Sequence, residues 1–181
     1  DVHHGNGTQH IFEDRSDVLV FSIQQRMIYP GSGAMQEVGN AAGRGFTVNL
    51  PLPAGCGDAA YRHAVEQLAG PIAARFRPDL ILVSAGFDAH ELDPLGGMDV
   101  SDAGFGRMME ILIEVAESHC RGRIAAVLEG GYSLEGLTGG VRACLEAMTG
   151  RSFASAAAGA ADDGVAGLIG RLLREHPLVS G

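Results

Sequence analysis

Asp1 and His3 stand two residues apart in the opening stretch DVHHGNGT, and in an extended backbone such side chains point the same way. A carboxylate oxygen and an imidazole nitrogen on one side of a strand end can bind a single metal ion. The glycines of the HGNG stretch that follows let the backbone turn away close beside such an ion. A second carboxylate, Asp88, closes the apolar run LILVSAGFD, where a bare charge is costly unless it is paired or metal-bound. Three protein ligands with a fourth position open make a catalytic zinc arrangement, not a closed structural one. Two carboxylates and one imidazole also suit Fe(II) or Co(II). Tyr132 follows two glycines at the end of IAAVLEGGY. Beside an open metal site its hydroxyl would donate to a polarised carbonyl oxygen and then to the oxyanion that forms. Each feature alone has a plainer reading: a polar strand end for D-x-H, a helix or turn cap for Asp88, a packed aromatic for Tyr132.

These residues meet only if each sits at the carboxyl end of a strand, the rim where open parallel sheets gather their ligands. Four apolar runs predict strands at 17–23, 45–52, 79–87 and 123–131. The last two are nearly continuous and read as parallel strands covered on both faces. Helical periodicity fills the gaps at 58–76, 101–119 and 133–150, with Asp58 and Ser101 as N-caps. Pro71 is expected to kink or split the first of these helices, and the glycines at 136, 139 and 140 weaken the third. Alternating strands and helices imply an α/β fold with an open, mostly parallel sheet flanked by helices. Residues 1–150 read as the catalytic part, and 151–181 as a small-residue linker with a short amphipathic helix at 165–176. The chemistry begins at Asp1 itself, so the first strands of the sheet are expected to precede it in a longer enzyme. An unpaired sheet edge is then expected to promote self-association.

Composition narrows the partners. The 181 residues are 46% hydrophobic and 19% charged, with a net charge of −9, which fits one globular domain and argues against a nucleic-acid partner. Three scattered cysteines without a CxxC pair argue against a disulfide framework. No apolar run reaches the length of a membrane span, and no signal peptide is visible, so a soluble cytoplasmic protein is expected.

The stretches DVHHGNGT, YPGSG, SAGFDAHELDPLGG and LEGGY, in this order, resemble the zinc-dependent histone deacetylase family. The bacterial class II-like branch with the acetylpolyamine amidohydrolases is the nearest in pattern, and the similarity runs to about Thr149. The resemblance implies an arginase/deacetylase-like sheet and zinc on Asp1, His3 and Asp88. It implies Tyr132 as the residue that stabilises the tetrahedral intermediate. It implies a narrow channel for acetylated lysine or polyamine, with Tyr29 as one wall, Leu95 at the rim and Gly131 as a substrate contact. Ser22, with the carbonyls of Asp1, His3 and Ile23, matches a monovalent cation site suited to K⁺. Asn6 matches a position supporting an active-site histidine, and His90 is a candidate support for the ligand shell.

The departures matter as well. In the family, tandem histidines that move the protons lie upstream of the D-x-H, and this chain does not contain them. His4 alternates away from the metal, and Gln24 stands where many relatives have histidine. The longer parent is therefore expected to be an amidohydrolase and the 181-residue chain to be inactive, since proton transfers alone are worth roughly 10² to 10⁴ in rate. Two other readings stay open. One is a metal-dependent module that binds acyl-lysine without turnover. The other is a binuclear ureohydrolase, disfavoured because Gly5 and His90 stand where a second metal needs carboxylates.

Overall fold

Parallel strands form in pairs where the apolar runs predict them. The first pair is β1 (Val20–Gln25) beside β2 (Thr47–Leu52), with Ser22 opposite Asn49 and Gln24 opposite Pro51. The second is β3 (Ile81–Ala85) beside β4 (Ile124–Leu128), with Ala85 opposite Leu128. The computed structural model describes residues 1–153 and 159–180; the centre of the stretch read as a linker, 154–158, lies outside the described residues. Among the described residues the expected single sheet takes the form of these two pairs, and the segment from Asp1 to His3 runs between them. Its Val2 carbonyl accepts from Gln25 N at the end of β1 (2.9 Å). Its Val2 N–H donates to Asp88 Oδ1 beyond β3 (2.5 Å).

The helices explain how the runs are held. Where the HGNG stretch predicts a turn, the chain enters α1 (Asn6–Phe12) from Gly5, and buried Gln9 anchors that helix. α2 (Asp58–Phe76) is capped at Gly57, not at Asp58. The Asp58 carboxylate instead accepts from Ser101 N (2.8 Å) and Ser101 Oγ (2.6 Å), tying the start of α2 to the start of α3 (Asp102–Cys120). Ser101 caps α3 as expected, accepting from Gly104 N at 3.2 Å. Pro71 does not split α2. The ring lies on the solvent side, and so does Gln67, whose carbonyl loses its helical donor and can bond water instead.

α4 (Leu134–Met148) forms despite its glycines because two of them are contact points against α3 and the β3 end. A β-carbon on Gly139 would strike the Asp102 carboxylate, and one on Gly140 would strike the Phe87 ring. α5 (Asp163–Glu175) starts on Asp162, which accepts from Val165 N (2.8 Å). Its Val165, Ile169 and Leu172 enter the same core as Leu50, Leu68 and Phe105, so the tail is part of the main fold.

One expectation fails. The second strand pair is not covered on both faces: Leu82 is 67% exposed and Val127 57%. Ser84 and Ala125, which share that side-chain layer, are exposed as well. Among the described residues no helix is long and apolar enough to cross a membrane.

Candidate metal centre

The parallel pairing of β3 and β4 delivers both strand ends to one rim. The ladder continues past the strands, with Glu129 N donating to Ala85 O (3.0 Å) and Phe87 N to Gly130 O (2.8 Å). Asp88 and Tyr132 therefore emerge side by side, and the Asp1–His3 segment arrives at the same level from the other side.

There Asp1, His3 and Asp88 converge, one ligand atom from each lying within 4.8 Å of the others. His3 Nδ1 is 3.1 Å from Asp1 Oδ1 and 3.0 Å from Asp88 Oδ2. An imidazole nitrogen carries at most one hydrogen and can donate to only one of those oxygens. A cation among the three satisfies all of them at once. Asp88 is completely buried, and its other oxygen is held by Val2 N. Asp1 accepts from His3 N (2.8 Å) and from Gly130 N (3.2 Å).

Glycines make room for this density of oxygen. A β-carbon on Gly130 would lie 2.5 Å from Asp1 Oδ2 and 2.6 Å from Asp88 Oδ2, and one on Gly86 would lie 2.7 Å from Asp1 Oδ2. The donor set, one imidazole and two fixed carboxylates with an open side, fits a divalent ion such as zinc.

The remaining candidate residues fall around this centre. The Tyr29 ring stands edge-on to His3, with centroids 6.3 Å apart, and is 78% exposed at the mouth. Tyr132 and Leu95 are exposed on the same rim. Gly131 sits at φ +132°, the conformation that frees Tyr132 from the strand path, and a β-carbon there would meet Phe87. Ser22 is half-buried in β1, the strand that flanks Val2. Asn6 opens α1, its N–H donating to His4 O at 2.8 Å.

The His90 side chain is engaged with α3. Its Nε2 faces Asp102 Oδ1 at 2.9 Å, its Nδ1 accepts from Leu92 N at 3.1 Å, and its ring stacks on Phe105. It anchors the loop after Asp88 to that helix and contacts none of the three ligands through its ring nitrogens. His4 points away from the candidate ligands as alternation predicts, with Nδ1 at Ser32 Oγ and Nε2 at Gln9 Oε1, both 2.8 Å.

Residue order alone does not reveal the support behind Tyr29. Glu37 Oε1 accepts from Gly33 N and Ala34 N (2.9 Å each), and Glu37 Oε2 accepts from Gln9 Nε2 (2.7 Å). Gln24 Nε2 donates to Gly33 O (2.7 Å). Burial pushes the Glu37 carboxyl up, but these donors outweigh it and hold it below the ordinary glutamate value. A glutamate in AMQEVG reads as surface charge, since only the folded path of the Tyr29–Ala34 loop brings donors to it.

The chain belongs to the histone deacetylase domain family, whose domain matches residues 1–148. A "Probable deacetylase" of Archaeoglobus fulgidus is 45% identical over 136 residues, covering 75% of this chain and 38% of that protein. A "Histone deacetylase-like amidohydrolase" of Pseudomonas aeruginosa is 45% identical over 134 residues, covering 74% of this chain and 35% of that protein. The solved HDA15 HD domain superposes with a TM-score of 0.86 at 38% identity, over 96% of this chain and 47% of that one. The chain thus spans well under half the length of these two curated relatives, 38% and 35%. The fold is the family's α/β architecture of parallel strands flanked by helices.

Proposed function

We propose that this chain carries the zinc and acyl-chain site of a deacetylase that removes acetyl groups from lysine or polyamine amines. The observation that carries the reading is the meeting of Asp1, His3 and Asp88 on the rim that also presents Tyr132. Asp1, His3 Nδ1 and Asp88 would hold the ion; when bound it polarises the amide carbonyl as a Lewis acid and makes water nucleophilic near neutral pH. Tyr132, on the open side, donates from its hydroxyl to the oxygen on which charge develops. Tyr29 and Leu95 flank a linear acyl-amine chain and limit water at its path. Ser22, with the carbonyls of Asp1, His3 and Ile23, would hold K⁺ beside the ligands. The net charge of −9 favours a cationic substrate.

For the 181-residue chain alone, binding without turnover is the stronger reading. The buried histidines are engaged elsewhere: His4 with Ser32 and Gln9, His90 with Asp102, His176 with Thr47. None is offered as a base or acid at the centre. His90's place at Asp102 also removes a ligand that a second metal would need, so a binuclear ureohydrolase is disfavoured.

Titration calorimetry with zinc tests this directly. One zinc per chain is expected, with His3→Ala and Asp88→Asn each weakening it by roughly 100-fold or more, since supporting residues alone are worth about 10- to 100-fold. An acetyl-lysine peptide is expected to bind only with zinc present and to remain uncleaved. A stoichiometry of two, or zinc affinity indifferent to Asp88→Asn, would sink the reading.

A further inference from the structure

We propose that Asp93 is the positioning residue of the rim, a single carboxylate that sets where Tyr132 stands relative to Leu95. The inference deepens the deacetylase reading and rests on it. Asp93 is buried, 8% exposed, yet it lies in the loop HELDPLGG between two exposed side chains of opposite duty. Its Oδ2 accepts from Tyr132 N at 2.7 Å. Its Oδ1 accepts from Leu95 N at 2.9 Å and Gly96 N at 3.1 Å. One oxygen therefore belongs to the strand end that carries the tyrosine, and the other to the loop that carries the apolar rim residue.

Burial does not fix the two rim side chains: Tyr132 is 56% exposed and Leu95 60%. Tyr132 also follows Gly131 at φ +132° and precedes Ser133, the cap of α4; its backbone stands at a hinge between strand end and helix. The loop itself is well anchored. Asp93 N donates to His90 O (2.8 Å), Gly97 N to Gln25 Oε1 (2.8 Å), and Gly55 N to Gly97 O (2.7 Å). Through Asp93, that anchored loop becomes the reference against which the tyrosine is placed. A carboxylate is the required chemistry, because three N–H groups approach from two directions and both oxygens must accept. Asparagine cannot substitute: in either orientation its NH₂ faces a backbone N–H, losing either Tyr132 or the Leu95–Gly96 turn.

The test uses the full chain, zinc, and a linear alkyl hydroxamate, whose head chelates zinc while its tail lies along the rim. Asp93→Asn is expected to leave zinc affinity within about twofold of the parent and to weaken the hydroxamate about tenfold. It is also expected to speed hydrogen exchange at the Tyr132 amide about tenfold. In a Tyr132→Phe background the hydroxamate penalty of Asp93→Asn is expected to shrink, because the share that runs through the placed hydroxyl is lost and only the share through Leu95 remains. Asp93→Ala, which removes the acceptors without adding a donor, is expected to show the same pattern. Unchanged Tyr132 exchange in both variants overturns the proposal, whatever the metal does. Zinc affinity falling in step with hydroxamate affinity overturns it too, since Asp93 would then serve the fold at large. If the parent binds zinc but no hydroxamate, the deacetylase reading fails by itself, and Tyr132 exchange still decides the role of Asp93.

Discussion

The two strand pairs are built from similar stock and live in different surroundings. β2, TVNLPL, contains a threonine and an asparagine yet is buried at five of six positions. β4, IAAVL, is wholly apolar yet is exposed at four of five. Apolar content therefore does not decide burial here; cover does. α5 lays Val165, Ile169 and Leu172 into the core that holds Leu50 and Leu52, while one layer of the second pair has no such lid. The catalytic candidates sit on the poorly covered pair. Asp88 and Tyr132 are held by backbone donors and glycine clearances, and of the two pairs only the first places fully buried apolar side chains, Val48, Leu50 and Leu52, in the main core. Stability and site geometry are thus separable, which a set of substitutions can test.

The largest effect is expected in the covered pair. Leu50 is fully buried, and Leu50→Ala should cost about 2–5 kcal/mol of unfolding free energy in a urea titration. Next comes the centre itself. Gly130→Ala drives a β-carbon against both candidate ligand carboxylates, 2.5 Å from Asp1 Oδ2 and 2.6 Å from Asp88 Oδ2. Zinc affinity should fall about 10- to 100-fold, as for other disturbances of ligand support, while the urea midpoint moves little. If Gly130→Ala instead unfolds the chain and spares zinc binding in what remains folded, geometry and stability are not separable at this rim.

How much of this can be read from residue order alone follows from range. All four strands and the longer helices are visible as periodic runs, because those patterns are local. The meeting of Asp1, His3 and Asp88 is legible too, since D-x-H and a carboxylate closing a buried run are unusual enough to stand out together. Cap assignment at Asp58 fails because its partner, Ser101, lies 43 residues away. Of the kink or split expected at Pro71, the split fails because the pattern does not say which helix face meets water. Glu37 and Asp93 escape notice for one reason: each accepts backbone N–H groups from loops, and backbone donors leave no mark in a sequence. The exposure of β3 and β4 is equally hidden, since an apolar run does not state what covers it.

A smaller effect concerns the cover on the first pair. His176, just past α5, is buried, with Nε2 donating to Thr47 O (2.7 Å) and Nδ1 accepting from Leu178 N (3.2 Å). A proton added at Nδ1 would face that N–H. Burial accordingly lowers the imidazole below its ordinary 6.5, against a smaller opposing pull from the Thr47 carbonyl. The unfolded chain takes up the proton first. The contribution is complete above about 6.5, falls as pH drops below that, and stops falling beneath the folded-state value. Urea midpoints measured from pH 7.5 down to 5.5 should decline for the parent, and His176→Gln should flatten the decline. A parallel decline in both would assign the acid sensitivity to other groups.

The smallest effect is expected on the open face, and it closes the contrast with Leu50. Leu82 is 67% exposed and shares its strand layer with Val127, 57% exposed. Replacing a side chain that folding scarcely removes from water should change stability by no more than about 0.5 kcal/mol. Leu82→Lys should therefore leave the urea midpoint almost where it was. The same substitution places a charge on an apolar, unpaired surface, which is how natural sheets resist edge-to-edge association. Sedimentation velocity should then show less self-associated material than the parent at equal concentration. A loss of stability comparable to that of Leu50→Ala would mean that this layer is covered in solution by a second copy of the chain. The two strand pairs would then differ in what buries them, and no longer in whether they are buried.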